Sequence, residues 1–164
     1  MQGEWLDRYN RNDASRAVDK AFYLWHTYHA SYVWGGGSNT GIDCSHFVCA
    51  CYFGKSTTGV GSYTYATTSY LRSLCNGGHG FEQMSYSKSK RKAADVLNNP
   101  GSHTGICVDD YISSYGDYYK GYDAVIQSYG GHGVGVLANG DAWKDIYRPF
   151  EGLGIYISKV TLIK

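Results

Sequence analysis

The stretch GGGSNTGIDCSHFVCACYF, residues 35–53, combines three consecutive glycines, an Asp-Cys-Ser step and an apolar run, and it holds three of the chain's five cysteines. Asp43 precedes apolar side chains that recur at the spacing of one helical face, namely Phe47, Val48 and Cys51. Asp43 is therefore a candidate N-cap for a helix over about 44–52. Cys44, at the start of that helix, could be a nucleophile, a metal ligand or a small core residue near a glycine turn.

A thiol in the first turn of a helix is suited to nucleophilic chemistry. The positive end of the backbone dipole favours the thiolate, so we expect a lowered pKa for Cys44. The first-turn N–H groups have no partner within the helix and could hold the oxyanion of a tetrahedral intermediate. The glycines of residues 35–37 would let a substrate backbone come close. A cysteine in a helix is also a common core residue, so the nucleophile hypothesis needs a base.

His103 is the histidine best placed to act as that base. It begins a predicted strand over 103–110, directly after a turn. Gln127 lies on the same side of a second predicted strand, over 123–130, and its amide oxygen could accept the other imidazole N–H. A nucleophilic cysteine needs such a base and a group that orients it. We therefore predict a Cys–His–Gln triad, with His132, in a glycine-rich loop, as a poorer candidate.

The metal interpretation has weaker support. His26 and His29 are three residues apart, and they are expected to pack on a helix flank. Zinc sites usually contain C-x2-C or H-x3-H pairs, and the chain has no C-x-x-C. Cys49 and Cys51 would fall on different faces of one helix. The GGHGVG run at 130–135 lacks the strand-to-helix context of a phosphate-binding loop. We predict no metal and no cofactor.

The order of predicted elements indicates an α+β fold with an antiparallel sheet. Helical spacing covers 14–30, with Asp13 as its cap, and a shorter helix is predicted over 67–78, ended by Gly77 and Gly78. The predicted strands follow, over 103–110, 123–130, 134–138, 145–150 and 152–164. We interpret 1–164 as a single catalytic domain with a helical part at about 13–78 and a sheet part at about 95–164.

Composition excludes several classes of function. A net charge of +1 gives no electrostatic case for nucleic acid or an acidic membrane, and the KSKRK run at 88–92 is expected to be a solvated face. Five cysteines match no common disulfide framework, so we expect a reducing compartment and at least one free thiol. The first residues lack the apolar region of a signal peptide, and no apolar stretch approaches the ~18 residues of a membrane span. We expect a monomer without membrane insertion.

Three blocks of the chain, taken together, are similar to a known family. YVWGGGSNTGIDCSHFV (32–48) resembles the signature of the NlpC-type cell-wall cysteine peptidases, in which an aromatic-rich strand and a glycine turn precede Gly-x-Asp-Cys-Ser. KAADVLNNPGSHTGICVDD (92–110) resembles the family's second block, with His-x-Gly-Ile. AVIQS (124–128) falls where the family places its third polar residue. The blocks occur in the family's order and span roughly residues 14–129.

The resemblance implies a papain-like core whose nucleophile opens a helix packed on an antiparallel sheet. It implies Cys44 as nucleophile, His103 as general base and then acid, and Gln127 as the orienting group. It also implies a substrate groove, and the residues assigned to it are Tyr32, Trp34, Asp43, Ser45 and His46. Two positions depart from the family: His46 replaces the usual glycine, and Gln127 replaces the more frequent histidine.

The implied partner is bacterial peptidoglycan, cut in its stem peptide between D-glutamate and the following diamino acid. The segments TTSYLRSL and DAWKDIYRP look similar to catalytic modules of phage lysins, some of which cleave the N-acetylmuramoyl–L-alanine amide instead. A lysin made in the cytoplasm and released by a holin would need no signal peptide and would act at the cell wall. The alternatives are a wall-binding module without catalysis and an acyltransferase that uses the same triad.

Overall fold

The computed structural model describes residues 13–54, 56, 58–63, 67–74, 81–113, 115–119, 123–138 and 143–149. Three helices and a six-stranded antiparallel sheet make up most of this part. The helices are α1 (Asp13–Tyr28), α2 (Cys44–Phe53) and α3 (Thr68–Leu74). The predicted α+β class, with helices preceding an antiparallel sheet, is confirmed.

Helix α2 begins where the sequence predicted. Asp43 is its N-cap, in extended backbone conformation, and its side chain accepts the His46 backbone N–H. Nine of the ten residues of α2 are buried, so this helix runs through the core between α1 and the sheet. Cys49 and Cys51 are buried core side chains and free thiols, as are Cys44 and Cys107. The expected free thiol is confirmed.

Helix α1 ends at Tyr28, two residues earlier than expected, because His29 adopts a left-handed φ of 49°. Asp13 is its first residue, and the Asp13 side chain lies outside the described part. Helix α3 covers residues 68–74 of the predicted 67–78, and residues 75–80 lie outside the description, as does the strand predicted over 152–164. Within the described residues, no helix is long and apolar enough to cross a membrane.

A two-stranded parallel pair leads into α2. It consists of β1 (Ser31–Tyr32) and β2 (Gly41–Ile42). The register places Tyr32 beside Ile42, two residues before Cys44. Ser128 fixes this pair against the large sheet, since its hydroxyl donates to the Ile42 carbonyl at 2.7 Å. An aromatic side chain is thereby held next to the start of α2.

The large sheet has the strand order β3-β8-β4-β5-β6-β7. Its strands are β3 (Phe81–Ser85), β4 (Val96–Asn99), β5 (His103–Cys107), β6 (Ala124–Tyr129), β7 (Gly133–Ala138) and β8 (Asp145–Pro149). All neighbouring strands pair antiparallel. Strand β5 begins at His103, as predicted, so this side chain stands at the end of the sheet.

The sheet starts earlier than the predicted residue 95, because β3 was not foreseen. Residues 81–85, FEQMS, contain three polar side chains and no alternating apolar pattern. Strand β3 lies at the edge of the sheet, and pairing with β8 supplies its backbone hydrogen bonds. Tertiary pairing therefore decides this strand, and local propensity does not.

The KSKRK run is not a uniformly solvated face, and Arg91 is the exception. Its side chain is buried, bonds both carboxylate oxygens of Asp109 and donates to the Ala124 carbonyl. The remaining side chains of the run are exposed, namely Lys88, Ser89, Lys90 and Lys92. Arg91 thus joins the ends of β5 and β6.

The two faces of the sheet carry different clusters, because side chains alternate along each strand. The inner face, with Val96, Ile106 and Ile126, packs in the main core with α1 and α2. The outer face carries a smaller cluster, formed by Leu97, Cys107, Val125, Trp143 and Ile146. The two-residue period places His103 and Gln127 on this outer face.

Candidate active site

The Cys44 thiol lies between the first turn of α2 and the start of β5. The backbone amide of Thr104, the residue after His103, faces the sulfur, and so do the amides of Ser45 and Cys44. These three N–H groups favour the thiolate. The site therefore combines a thiol, first-turn N–H groups that face it and the end of the strand that carries the predicted base.

The structure brings His103 and Gln127 into direct contact. Gln127 is fully buried, and its Oε1 accepts a hydrogen bond from His103 Nε2 at 2.5 Å. The Gln127 amide is itself oriented, because its Nε2 donates to the Val125 carbonyl. With Nε2 carrying a proton toward Gln127, His103 Nδ1 is the nitrogen left with a lone pair.

Gly105 makes room for this contact. The pairs Ile106–Ile126 and Cys107–Val125 set the register of β5 and β6, which brings Gly105 alongside Gln127. A Cβ at Gly105 would lie 2.5 Å from Val125 Cγ1 and 3.1 Å from Gln127 Cβ. The missing side chain lets Gln127 lie across β5 toward His103, a diagonal cross-strand contact. This explains the His-x-Gly spacing in physical terms.

Burial raises the pKa of the Cys44 thiol, contrary to the lowered value expected from the helix dipole. The thiol is only 7% exposed, and desolvation disfavours its charged form more than the three nearby amides favour it. The Asp43 carboxylate adds a further upward contribution. The thiol is therefore neutral near pH 7, so a nucleophilic role would need a base that takes its proton.

Asp43 ties the glycine loop to the helix. Its Oδ2 accepts the Gly35 N–H at 2.9 Å, while Oδ1 accepts from the His46 backbone N–H, His46 Nδ1 and the Ser45 hydroxyl. Both oxygens of this buried carboxylate are thus engaged. The Asp43 side chain thus links the glycine loop to the first turn of α2.

A cleft of about 350 Å³ opens over Cys44. Four of the predicted groove residues line it together with the thiol: Tyr32, Trp34, Asp43 and Ser45. The rest of the lining forms a hydroxyl-rich wall that includes Thr67, Thr68, Ser69, Gly101 and Ser102. Trp34 is 86% exposed at the mouth, so a large aromatic surface is available to a ligand.

His46 does not line this cleft. Its Nδ1–H donates to Asp43 at 2.8 Å, and its ring meets Tyr63 edge-on. A Cβ at Gly37 would lie 2.7 Å from the imidazole, so the ring fills the space beneath the glycine loop. The structure thus gives His46 a supporting contact with Asp43, and its contact with substrate stays a prediction.

Trp143 is the residue at this site that sequence reasoning missed. Its indole stacks on the His103 ring, with centroids 5.7 Å apart and planes 22° apart. It is separated from β5 by a long stretch of chain, so no local pattern indicates the contact. A lone tryptophan shortly before the predicted strand over 145–150 was the available signal.

His26 and His29, which were predicted to pack on a helix flank, are not among the residues that line the cleft. His26 bonds Asp117 at 2.7 Å and stacks on Trp25. Within the described part of the chain, no group of three or more His, Cys, Asp or Glu side chains could hold a metal ion.

Comparisons with known proteins give matches among solved structures. No family model matches the sequence, and no curated protein matches it. Among solved structures, the chain is similar to the NlpC/p60 domain of the peptidoglycan hydrolase SagA. The sequence identity is 20% and the TM-score is 0.44, over 84% of this chain and 98% of that chain.

The raised thiol pKa predicts how Cys44 responds to alkylation. Iodoacetamide reacts with the thiolate, so its rate with Cys44 should rise about tenfold per pH unit from roughly pH 6 to pH 8, because this range lies below even the ordinary thiol pKa of about 8.5. Peptide mapping by mass spectrometry separates Cys44 from the other cysteines. A plateau of fast alkylation at low pH would instead indicate a preformed thiolate–imidazolium pair.

Removing the Asp43 carboxylate should destabilise the protein. Asp43→Ala deletes the N-cap and leaves the Gly35 N–H without its acceptor, so we expect the free energy of unfolding to fall by about 2–3 kcal/mol. Asp43→Asn keeps one acceptor oxygen for the cap and should lose less. Urea denaturation measures both variants, and a loss below about 0.5 kcal/mol for Asp43→Ala would contradict the capping role.

Proposed function

We propose that this chain is a peptidoglycan hydrolase, a cysteine endopeptidase that cuts an amide bond of the stem peptide through an acyl-enzyme. Cys44, His103 and Gln127 carry the reaction. The observation that supports this most strongly is the convergence of α2, β5 and β6 on one site. A thiol at a helix N-terminus faces the strand whose histidine is oriented by a buried amide.

Acylation begins with the neutral thiol. His103 Nδ1 takes the Cys44 proton as the sulfur attacks the amide carbonyl carbon. The Gln127 oxygen holds Nε2–H, which leaves Nδ1 as the nitrogen that accepts the thiol proton. The developing oxyanion is stabilised by the first-turn amides of α2, whose N–H groups lie at the sulfur. Tyr32, held beside Ile42 and close enough for its charge to couple to that of the thiolate, forms the adjacent wall.

The second half of the reaction reverses the proton flow. The His103 imidazolium donates its proton to the leaving amine, and the C–N bond breaks to give a thioester on Cys44. A water molecule, deprotonated by His103, then attacks the thioester carbonyl and releases the carboxylic acid and the thiol. The chain's own residues supply every proton transfer in this sequence.

The proposed substrate comes from the sequence resemblance and agrees with the shape of the site. The cleft is open and can admit an extended peptide above Cys44. Trp34 at the mouth and the hydroxyl-rich wall at Thr67–Ser69 offer an apolar surface and neutral hydrogen-bonding groups. The bond between D-glutamate and the diamino acid is the favoured target, at the cell wall.

Product chemistry tests this proposal. Purified sacculi of several chemotypes are incubated with the protein in EDTA, and the released fragments are identified by mass spectrometry. Fragments with a new amino terminus on the diamino acid support the endopeptidase. Intact stem peptides that begin with L-alanine would show that the muramoyl amide is cut instead. Transfer products without a free new amino terminus would show an acyltransferase. Wall binding without any released fragment would refute a hydrolase.

A further inference from the structure

Trp143 covers the His103–Gln127 pair from the outer face of the sheet. The tryptophan is 6% exposed and packs in the outer cluster with Cys107, Val125 and Ile146. The next residue, Lys144, fixes the backbone on the C-terminal side of Trp143. The Lys144 N–H donates to the Asn98 carbonyl at 3.1 Å, and the Lys144 carbonyl accepts from the Tyr86 N–H at 2.8 Å. The indole is thus held in one place, nearly parallel to the His103 ring.

We infer that Trp143 is a positioning residue whose indole face stabilises the His103 imidazolium formed when Cys44 loses its proton. This inference rests on the proposed function, because it concerns the same triad. A cation near an aromatic face, within about 6 Å of the ring centroid, is attracted by the ring quadrupole. The two rings here are 5.7 Å apart.

The need for such a group follows from the third triad member. A carboxylate or a second imidazole could share or offset the positive charge on His103, but the Gln127 amide is neutral. Its oxygen orients Nε2–H without supplying a countercharge. The indole adds a favourable interaction that is larger for the charged ring than for the neutral ring. It also excludes water from the His103–Gln127 hydrogen bond, which strengthens that bond.

We assign the stabilisation of the imidazolium to Trp143 because the other ionisable groups described around His103 are already paired or neutral. Cys44 and Asp43 lie at the N-terminal end of α2, and the Asp43 oxygens accept hydrogen bonds from Gly35, His46 and Ser45. On β8, the charge of Asp145 is paired with Arg72, and Tyr147 donates to the same carboxylate. On β5, burial raises the pKa of the Cys107 thiol to about 12, so this thiol is neutral.

The experiment compares three variants by NMR titration of the His103 ring and by kcat/KM on peptidoglycan. Trp143→Leu keeps apolar volume but removes the aromatic face, whereas Trp143→Phe keeps a face. Ile146→Val perturbs the same outer cluster and leaves the indole in place, so it is the matched control.

We expect Trp143→Leu to make the protonated His103 ring less stable relative to the neutral ring, to move the acidic limb of kcat/KM to lower pH, and to reduce kcat by roughly tenfold. Trp143→Phe should recover most of each effect, and Ile146→Val should show none of them. A His103 titration in folded Trp143→Leu that matches the wild type would overturn the inference. The titration needs no substrate, so this result is distinct from a failure of the wild-type protein to cut peptidoglycan.

Discussion

Cys44→Ala should lower the rate of peptidoglycan hydrolysis by about 10⁴-fold or more, because loss of the nucleophile removes the acyl-enzyme route altogether. The thiol stands at the first turn of α2 with three amides facing it, and no other described cysteine is near the cleft. Release of soluble fragments from sacculi measures the rate. Cys44→Ser should be almost as inactive, since a hydroxyl is far less readily deprotonated than a thiol.

Cys49→Ala is the matched control for this experiment. Cys49 lies on the same helix and is fully buried in the core, where its thiol packs away from the cleft. We expect this variant to unfold at slightly lower urea concentration and to retain wild-type kcat. Wild-type activity in folded Cys44→Ala, or equal losses in the two variants, would show that Cys44 is not the nucleophile.

Gly105→Ala should reduce kcat by about 10- to 100-fold and lower the free energy of unfolding by about 1–3 kcal/mol. The added Cβ would lie 2.5 Å from Val125 Cγ1, a distance that real contacts do not allow, and 3.1 Å from Gln127 Cβ. Neither neighbour sits at the end of a flexible chain, so β5 and β6 must shift apart. That shift moves the Gln127 oxygen away from His103 Nε2. Steady-state kinetics and urea denaturation measure the two effects.

Gly135→Ala provides the comparison, because Gly135 pairs with Gln127 from the other side, on β7. A Cβ there meets its nearest atom, Trp25 Nε1, at 3.8 Å, which is ordinary contact. This variant should keep its activity. If the Gly135 and Gly105 variants lost kcat equally, the close approach of Gly105 to Gln127 would not be what aligns the triad.

The amino-acid sequence alone determined where the two elements at the candidate site begin, namely helix α2 and strand β5. Asp43 before an apolar helical pattern predicted where α2 begins, and the turn before an alternating run predicted that β5 begins at His103. Both signals are local, because a helix cap and a two-residue alternation depend only on residues that are close together in the sequence. The same patterns placed Gln127 and His103 on strands that proved adjacent.

Tertiary structure decided the remaining properties of the site. The upward shift of the Cys44 pKa depends on how deeply α2 is buried, and the stacking of Trp143 on His103 joins segments far apart in the chain. Edge strand β3 forms because it pairs with β8. Arg91 is buried because its guanidinium donates hydrogen bonds to Asp109 and to the Ala124 carbonyl. Burial, register and ring contacts arise from long-range packing, which no contiguous stretch encodes, so these features follow only once the sheet and helices are assembled.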